Sequence, residues 1–122
     1  MQKSELGAWG EQQAALYLQQ QGYRIAARNY RCRMGEIDLI AQKDETLAFV
    51  EVKLRKDACH GEAREFVTAS KQQKLILAAR YYIMSHPQAE ELSLRFDVAE
   101  VYAPQGAGGP CRIVHLTDAF TC

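Results

Sequence analysis

The sequence predicts an α/β domain in which a mixed sheet is flanked by helices, in the order α-β-β-β-α-β-β. Three observations carry this. Residues 35–55 contain two runs of alternating apolar and polar residues, parted by a polar stretch of turn composition, which is the pattern of a β-hairpin. Residues 4–20 and 67–85 repeat small and apolar residues at spacings of three and four, as two amphipathic helices do. A third alternating run, residues 92–102, follows the second helix, so the chain switches three times between the two periods.

Each element has local reasons. In the first helix Ser4 is the expected N-cap and Gly22 the terminator, while Gly7, Glu11, Ala14 and Leu18 share one stripe. A carboxylate on the stripe that packs against a sheet is out of place without a partner. Residues 23–28 form the first expected strand, with 29–35 as a link to the hairpin; Tyr30, set among arginines, either stacks on a ligand or closes over the core. In the second helix Leu75, Ala78, Ala79 and Tyr82 make the apolar stripe, and Pro87 marks its end. Leu94, Phe96 and Val98 are expected on one face of the fourth strand, with Arg95 and Asp97 on the other as a supporting pair. Residues 103–110 read as a turn, and 111–116 as a short edge strand.

The hairpin carries charges where core strands carry none: Asp38, Glu51 and Lys53. If Gln42 pairs with Leu47 across a four-residue loop (43–46), Asp38 faces Glu51 and Glu36 faces Lys53, while Ile37, Leu39, Val50 and Val52 fill the other face. A slip of one residue would turn the acids onto the apolar side. Two opposed carboxylates repel, and a divalent cation such as Mg²⁺ relieves that repulsion. Lys53 points to the same face as Glu51 and is set to orient a water or steady charge on a phosphate. The plainer alternative is a surface hairpin with ordinary charge pairs.

Composition bounds the rest. The 122 residues suit one domain spanning 1–122, with 48% hydrophobic and 25% charged residues, as in soluble globular proteins. No run approaches the ~20 apolar residues of a membrane helix, and the N-terminus lacks the apolar core of a signal peptide, so a cytoplasmic location without membrane contact is expected. Cys32, Cys59, Cys111 and Cys122 are scattered without metal-ligand spacing and are expected to be free thiols. Fifteen basic residues balance fifteen acidic ones, which argues against indiscriminate coating of nucleic acid. The distribution is uneven. Arg24, Arg28, Arg31 and Arg33 cluster without an acid, and Lys53, Arg55, Lys56, Arg64, Lys71, Lys74 and Arg80 dominate residues 53–80.

Asp38, twelve intervening residues and then Glu51-Val52-Lys53 resemble the Asp…Glu-x-Lys signature of restriction-endonuclease-like nucleases. The fuller wording is closer still to one branch. Gly35 to Ile40 and Phe49 to Lys53, with Gly10-Glu11 before them and Lys71 to Lys74 and Arg95 to Val98 after, resemble the YraN family of small bacterial proteins. That family is related in fold to Holliday-junction resolvases, and the resemblance covers roughly residues 5 to 120. It implies a restriction-endonuclease-like domain and metal-dependent cleavage of phosphodiester bonds, with branched or structured DNA, rather than RNA, as the substrate. It further implies Mg²⁺ or Mn²⁺ held by Asp38, Glu51 and Glu11, with Asp38, Glu51 and Lys53 as the catalytic set. Arg31, Arg33, Arg55, Lys56, Lys71 and Lys74 would contact nucleic acid, with Lys71 leaning toward the acids, although by its position alone Lys74 reads as plain surface charge; a homodimer is expected. The competing reading is a catalytically silent nucleic-acid-binding or adaptor protein that keeps the fold. A third is an ion held only for stability.

Overall fold

The structure, a computed structural model, describes residues 4–55 and 67–121. Helix α1 (Glu5–Gln20) starts as its cap predicts, the Ser4 hydroxyl accepting the Gly7 amide at 3.0 Å. It stops at Gly22, whose φ of +97° sends the chain into β1 (Arg24–Cys32). Strands β2 (Gly35–Lys43) and β3 (Thr46–Arg55) follow, then α2 (Ala69–Ser85), capped by Thr68. A short 3-10 helix (Pro87–Glu91) leads to β4 (Ser93–Tyr102) and β5 (Arg112–Phe120). The five strands form one sheet in sequence order; β3 and β4 run parallel and every other neighbouring pair is antiparallel. This is the mixed sheet and the α-β-β-β-α-β-β order expected of a restriction-endonuclease-like domain.

The two faces of the sheet bury two separate cores. Ala14, Ala15 and Leu18 of α1 pack on Leu39, Ala41, Ala48, Val50, Ala99 and Val101. On the other face Leu75, Ile76, Ala78, Ala79 and Tyr82 of α2 pack on Ile37, Ile40, Leu47, Phe49, Phe96 and Val98. Rings knit the second core: Tyr30 meets Tyr82 edge-on at 5.2 Å, and Phe96 stacks between Phe49 and Phe120. Tyr30 therefore closes the core. Among the described residues no helix is long and apolar enough to cross a membrane.

Several boundaries differ from expectation. Strand β1 continues through the segment 29–32 read as a link and pairs with β2 to Cys32↔Gly35, so Arg33 and Met34 form a second tight turn. The main hairpin has the expected Gln42↔Leu47 register but a tighter loop: Lys43 pairs with Thr46, leaving only Asp44 and Glu45 in the turn, with Asp44 at φ 54°. Asp tolerates that left-handed conformation better than most residues. Strand β5 runs four residues past Leu116. Ile37 joins the α2 core, whereas Leu39 joins the α1 core, so the expected shared face is broken. The cause lies next door: between the pairs Arg28↔Leu39 and Tyr30↔Ile37 stands Asn29 at φ 50°, which interrupts the pleat opposite Asp38. Cys32 and Cys111 are free thiols; Cys59 and Cys122 lie outside the described residues, as does all of 56–66.

At Gly10, α1 packs directly against Leu54 of β3. A Cβ there would stand 2.6 Å from Leu54 Cδ2 and 3.2 Å from Cγ. Gly10→Val is expected to lower stability by about 2 kcal/mol through overpacking, read as a fall in denaturation midpoint at unchanged slope. An unchanged midpoint would show that Leu54 moves aside freely.

Candidate active site

The β2–β3 ladder ends at Leu39↔Val50. Beyond it the carboxylate of Asp38 takes over the work of a backbone carbonyl: its Oδ2 accepts the Val52 amide at 2.8 Å. The strands part there. Glu51, opposite Asp38 by the same register, lies against it, and both carboxylates are buried. Open ground between strands holding two acids costs sheet hydrogen bonds and brings like charges together, so the sequence is spending stability at this point.

Lysines surround the pair. Lys71, in the first turn of α2, forms a salt bridge with Glu51 Oε2, and Lys53 Nζ lies 3.9 Å from the same oxygen. Burial, then the hydrogen bond and repulsion from Asp38, push the Glu51 carboxyl up to about 7, with Lys71 pulling the other way. Lys53 is driven down, first by burial and then by the Lys71 charge. For Lys71 burial also disfavours the charge, but the bond to Glu51 outweighs it and the net shift is upward. The group opens into a cavity of about 320 Å³ lined by Gly35, Glu36, Asp38, Glu51, Val52, Lys71, Lys74 and Leu75.

Asp38, Glu51, Lys53 and Lys71 are thus brought together, and Lys74 lines the same cavity although its sequence position read as plain surface. Arg31 bonds Glu36 at the cavity's rim, and Arg33 sits in the β1–β2 turn. Arg55 Nε lies 3.7 Å from Glu100 Oε2, further along β3. Lys56 lies outside the described residues. Glu11 is buried on α1, which covers the sheet face opposite α2, and is not among the cavity's lining residues. Among the described residues no group of three or more His, Cys, Asp or Glu side chains is arranged to hold a metal. The donor set of Asp38 and Glu51 nevertheless suits a hard cation: two buried oxygen ligands in contact, with room for waters and a phosphate.

Sequence reading missed what continues the charged face beyond Lys53. Glu100 accepts the Tyr102 hydroxyl at 2.9 Å, and the Arg112 guanidinium stacks over the Tyr102 ring at 4.6 Å. Alternation on β4 carried the signal, since Glu100 and Tyr102 share a face with Val98. Separately, Arg95 and Asp97 do form the expected supporting pair, joined by His115.

A five-stranded mixed sheet between two helices, with an Asp, a Glu and a Lys gathered where two strands part, defines a mixed α/β protein. The profile of the uncharacterised protein family UPF0102 matches residues 10–101. A UPF0102 protein from Desulforapulum autotrophicum is 45% identical over 98% of this chain and 95% of its own length. Others from Nitrosococcus oceani and Chlorobium phaeobacteroides are 42% and 43% identical, over 93% and 95% of this chain and 90% and 94% of their own. The chain belongs to the UPF0102 (YraN) family.

Proposed function

We propose that this protein is a metal-dependent nuclease that hydrolyses phosphodiester bonds, with branched or structured DNA as the substrate class. The observation that supports it most is the juxtaposition of Asp38 and Glu51. Two buried carboxylates are held in contact beside two lysines, in an open cavity that a phosphate can enter.

Asp38 and Glu51 would hold Mg²⁺ or Mn²⁺; Glu11, which the family resemblance also assigns to the ion, is buried on α1 and outside the cavity lining, so it takes no direct part in this reading. When bound, such an ion supplies Lewis-acid shielding of the phosphate and a lowered water pKa. The chain's own groups do the remaining work. Asp38 keeps the strands apart through the Val52 amide and so holds the cavity open. Lys53, fixed on β3 beside Glu51, donates to the attacking water or to the charge growing on the phosphate. Lys71 and Lys74 draw the phosphate backbone to the cavity mouth from α2, and Arg31, Arg33 and Arg55 extend the grip, with Lys56, outside the described residues, as the further contact the resemblance assigns.

The test uses four-way junctions, flaps, single strands and structured RNA, with Mg²⁺ or Mn²⁺ and with chelator. Cleavage is expected with metal, and lost with chelator, with Glu51→Ala and with Lys53→Ala. Binding that persists in all conditions without cleavage would instead make the protein a catalytically silent nucleic-acid binder.

A further inference from the structure

The cluster around Glu51 is already balanced in formal charge. Asp38 and Glu51 bring two negative charges, and Lys53 and Lys71 bring two positive ones within reach of the same Glu51 oxygen. A divalent cation bound between the carboxylates would leave two surplus positive charges beside it, at close range. One ammonium group has to yield before the ion can settle.

The two lysines differ in their freedom to do so. Lys53 sits in the middle of a paired strand, opposite Glu100 on β4, and its side chain is only 20% exposed. Lys71 stands in the first turn of a helix at the cavity's edge, with a side chain 46% exposed. It is also the one that touches Glu51 directly; Lys53, at 3.9 Å, lies beyond hydrogen-bond length. We infer that Lys71 is a displaceable counter-ion: its ammonium holds the place beside Glu51 that the cation takes, and a phosphodiester at the cavity mouth draws it away.

This rests on the metal-dependent reading above and adds a regulatory consequence to it. Cation and nucleic acid then bind with positive coupling, because a phosphate that engages Lys71 vacates the carboxylate for the ion. Free protein holds metal weakly, and the site completes itself when a substrate is present. Coupling through one shared group is reciprocal: whatever factor the nucleic acid adds to metal affinity, the metal adds to nucleic-acid affinity.

Mn²⁺ binding, counted by electron paramagnetic resonance, tests this without any turnover. Wild type, Lys71→Ala, Lys71→Met and Glu51→Gln are titrated with and without a phosphorothioate-protected four-way junction. Both Lys71 variants are expected to bind Mn²⁺ about tenfold or more tightly than wild type in the absence of nucleic acid, and wild type to recover that factor when the junction is added. Lys71→Met keeps most of the aliphatic stem, so agreement between the two variants separates lost charge from lost packing. Mn²⁺ binding that Glu51→Gln abolishes but neither Lys71 variant strengthens would overturn the counter-ion role alone. Mn²⁺ binding indifferent to Glu51→Gln would remove the metal site itself, and with it both readings.

Discussion

Glu51→Gln is expected to yield a protein that no longer cleaves nucleic acid and yet melts higher than wild type at pH 8. The catalytic loss, at least about a hundredfold, follows from removing one of two carboxylates from the proposed ion site. The stability gain follows from the position of the Glu51 carboxyl, raised by burial and by Asp38 from 4.5 to about 7. A raised folded-state value means that the folded protein holds this proton more tightly than the unfolded chain does. Its contribution is therefore complete below pH 4.5 and lost as the pH climbs through 7. Glutamine resembles the protonated acid and never ionises. The difference between the two proteins should be small at pH 5, widen through neutrality and level off near pH 8 at on the order of 2 kcal/mol, or roughly 5–10 °C in Tm. The lost Lys71 salt bridge offsets little, because that side chain is half exposed and can return to water. Melting curves from pH 5 to 8 decide the matter; parallel curves, or a less stable variant at pH 8, would refute it.

The opposite outcome is expected at another buried acid, Asp97. Asp97 has no solvent exposure and accepts four hydrogen bonds. They come from Arg95 Nε and Nη2, each at 2.9 Å, from His115 Nε2 at 2.7 Å and from the Asp118 amide at 3.0 Å. Arg95 also donates to the Tyr23 hydroxyl at 2.6 Å, which ties β4 to the segment after α1. Burial alone would raise Asp97, but the bonds from His115, Arg95 and Asp118 prevail and hold it below the usual carboxylate range. Asp97→Asn puts an amide where only acceptors fit and leaves Arg95 without its countercharge. A loss of about 3–5 kcal/mol is expected, read from urea denaturation at pH 7. Asp97's contribution is present above its ordinary value and lost as the pH falls through its depressed one, so the gap between the two proteins should narrow only in acid. A cost below about 1 kcal/mol would mean that the network is dispensable.

These two acids show what a sequence can disclose. The opposition of Asp38 and Glu51 was legible, because Gln42↔Leu47 is the register that keeps both off the apolar face and because a period-two pattern fixes faces rigidly. The reach of Lys71 was legible from helix spacing, one turn before Leu75. The course of β1 past Arg28 was hidden, since its second half carries arginines on an edge strand that faces water, and polarity there imitates a loop. The side change of Ile37 was hidden too: it depends on a left-handed Asn29 on another strand, which no alternation in β2 announces. Lys74 looked like surface charge until Gly35, with Lys74 Cβ 3.6 Å from where its own Cβ would be, brought α2 down onto the start of β2.

The single parallel pair in the sheet, β3 with β4, joins segments roughly fifty residues apart, whereas β1, β2 and β3 meet through two-residue turns. Closing that one seam carries most of the loop-closure entropy of the sheet. The acids arrive together on the local meander, while Lys71 comes only with the long crossover that also delivers β4. A nascent chain therefore gathers both acids with Lys53 alone beside them, and the long-range docking that brings Lys71 supplies the direct counter-charge to Glu51.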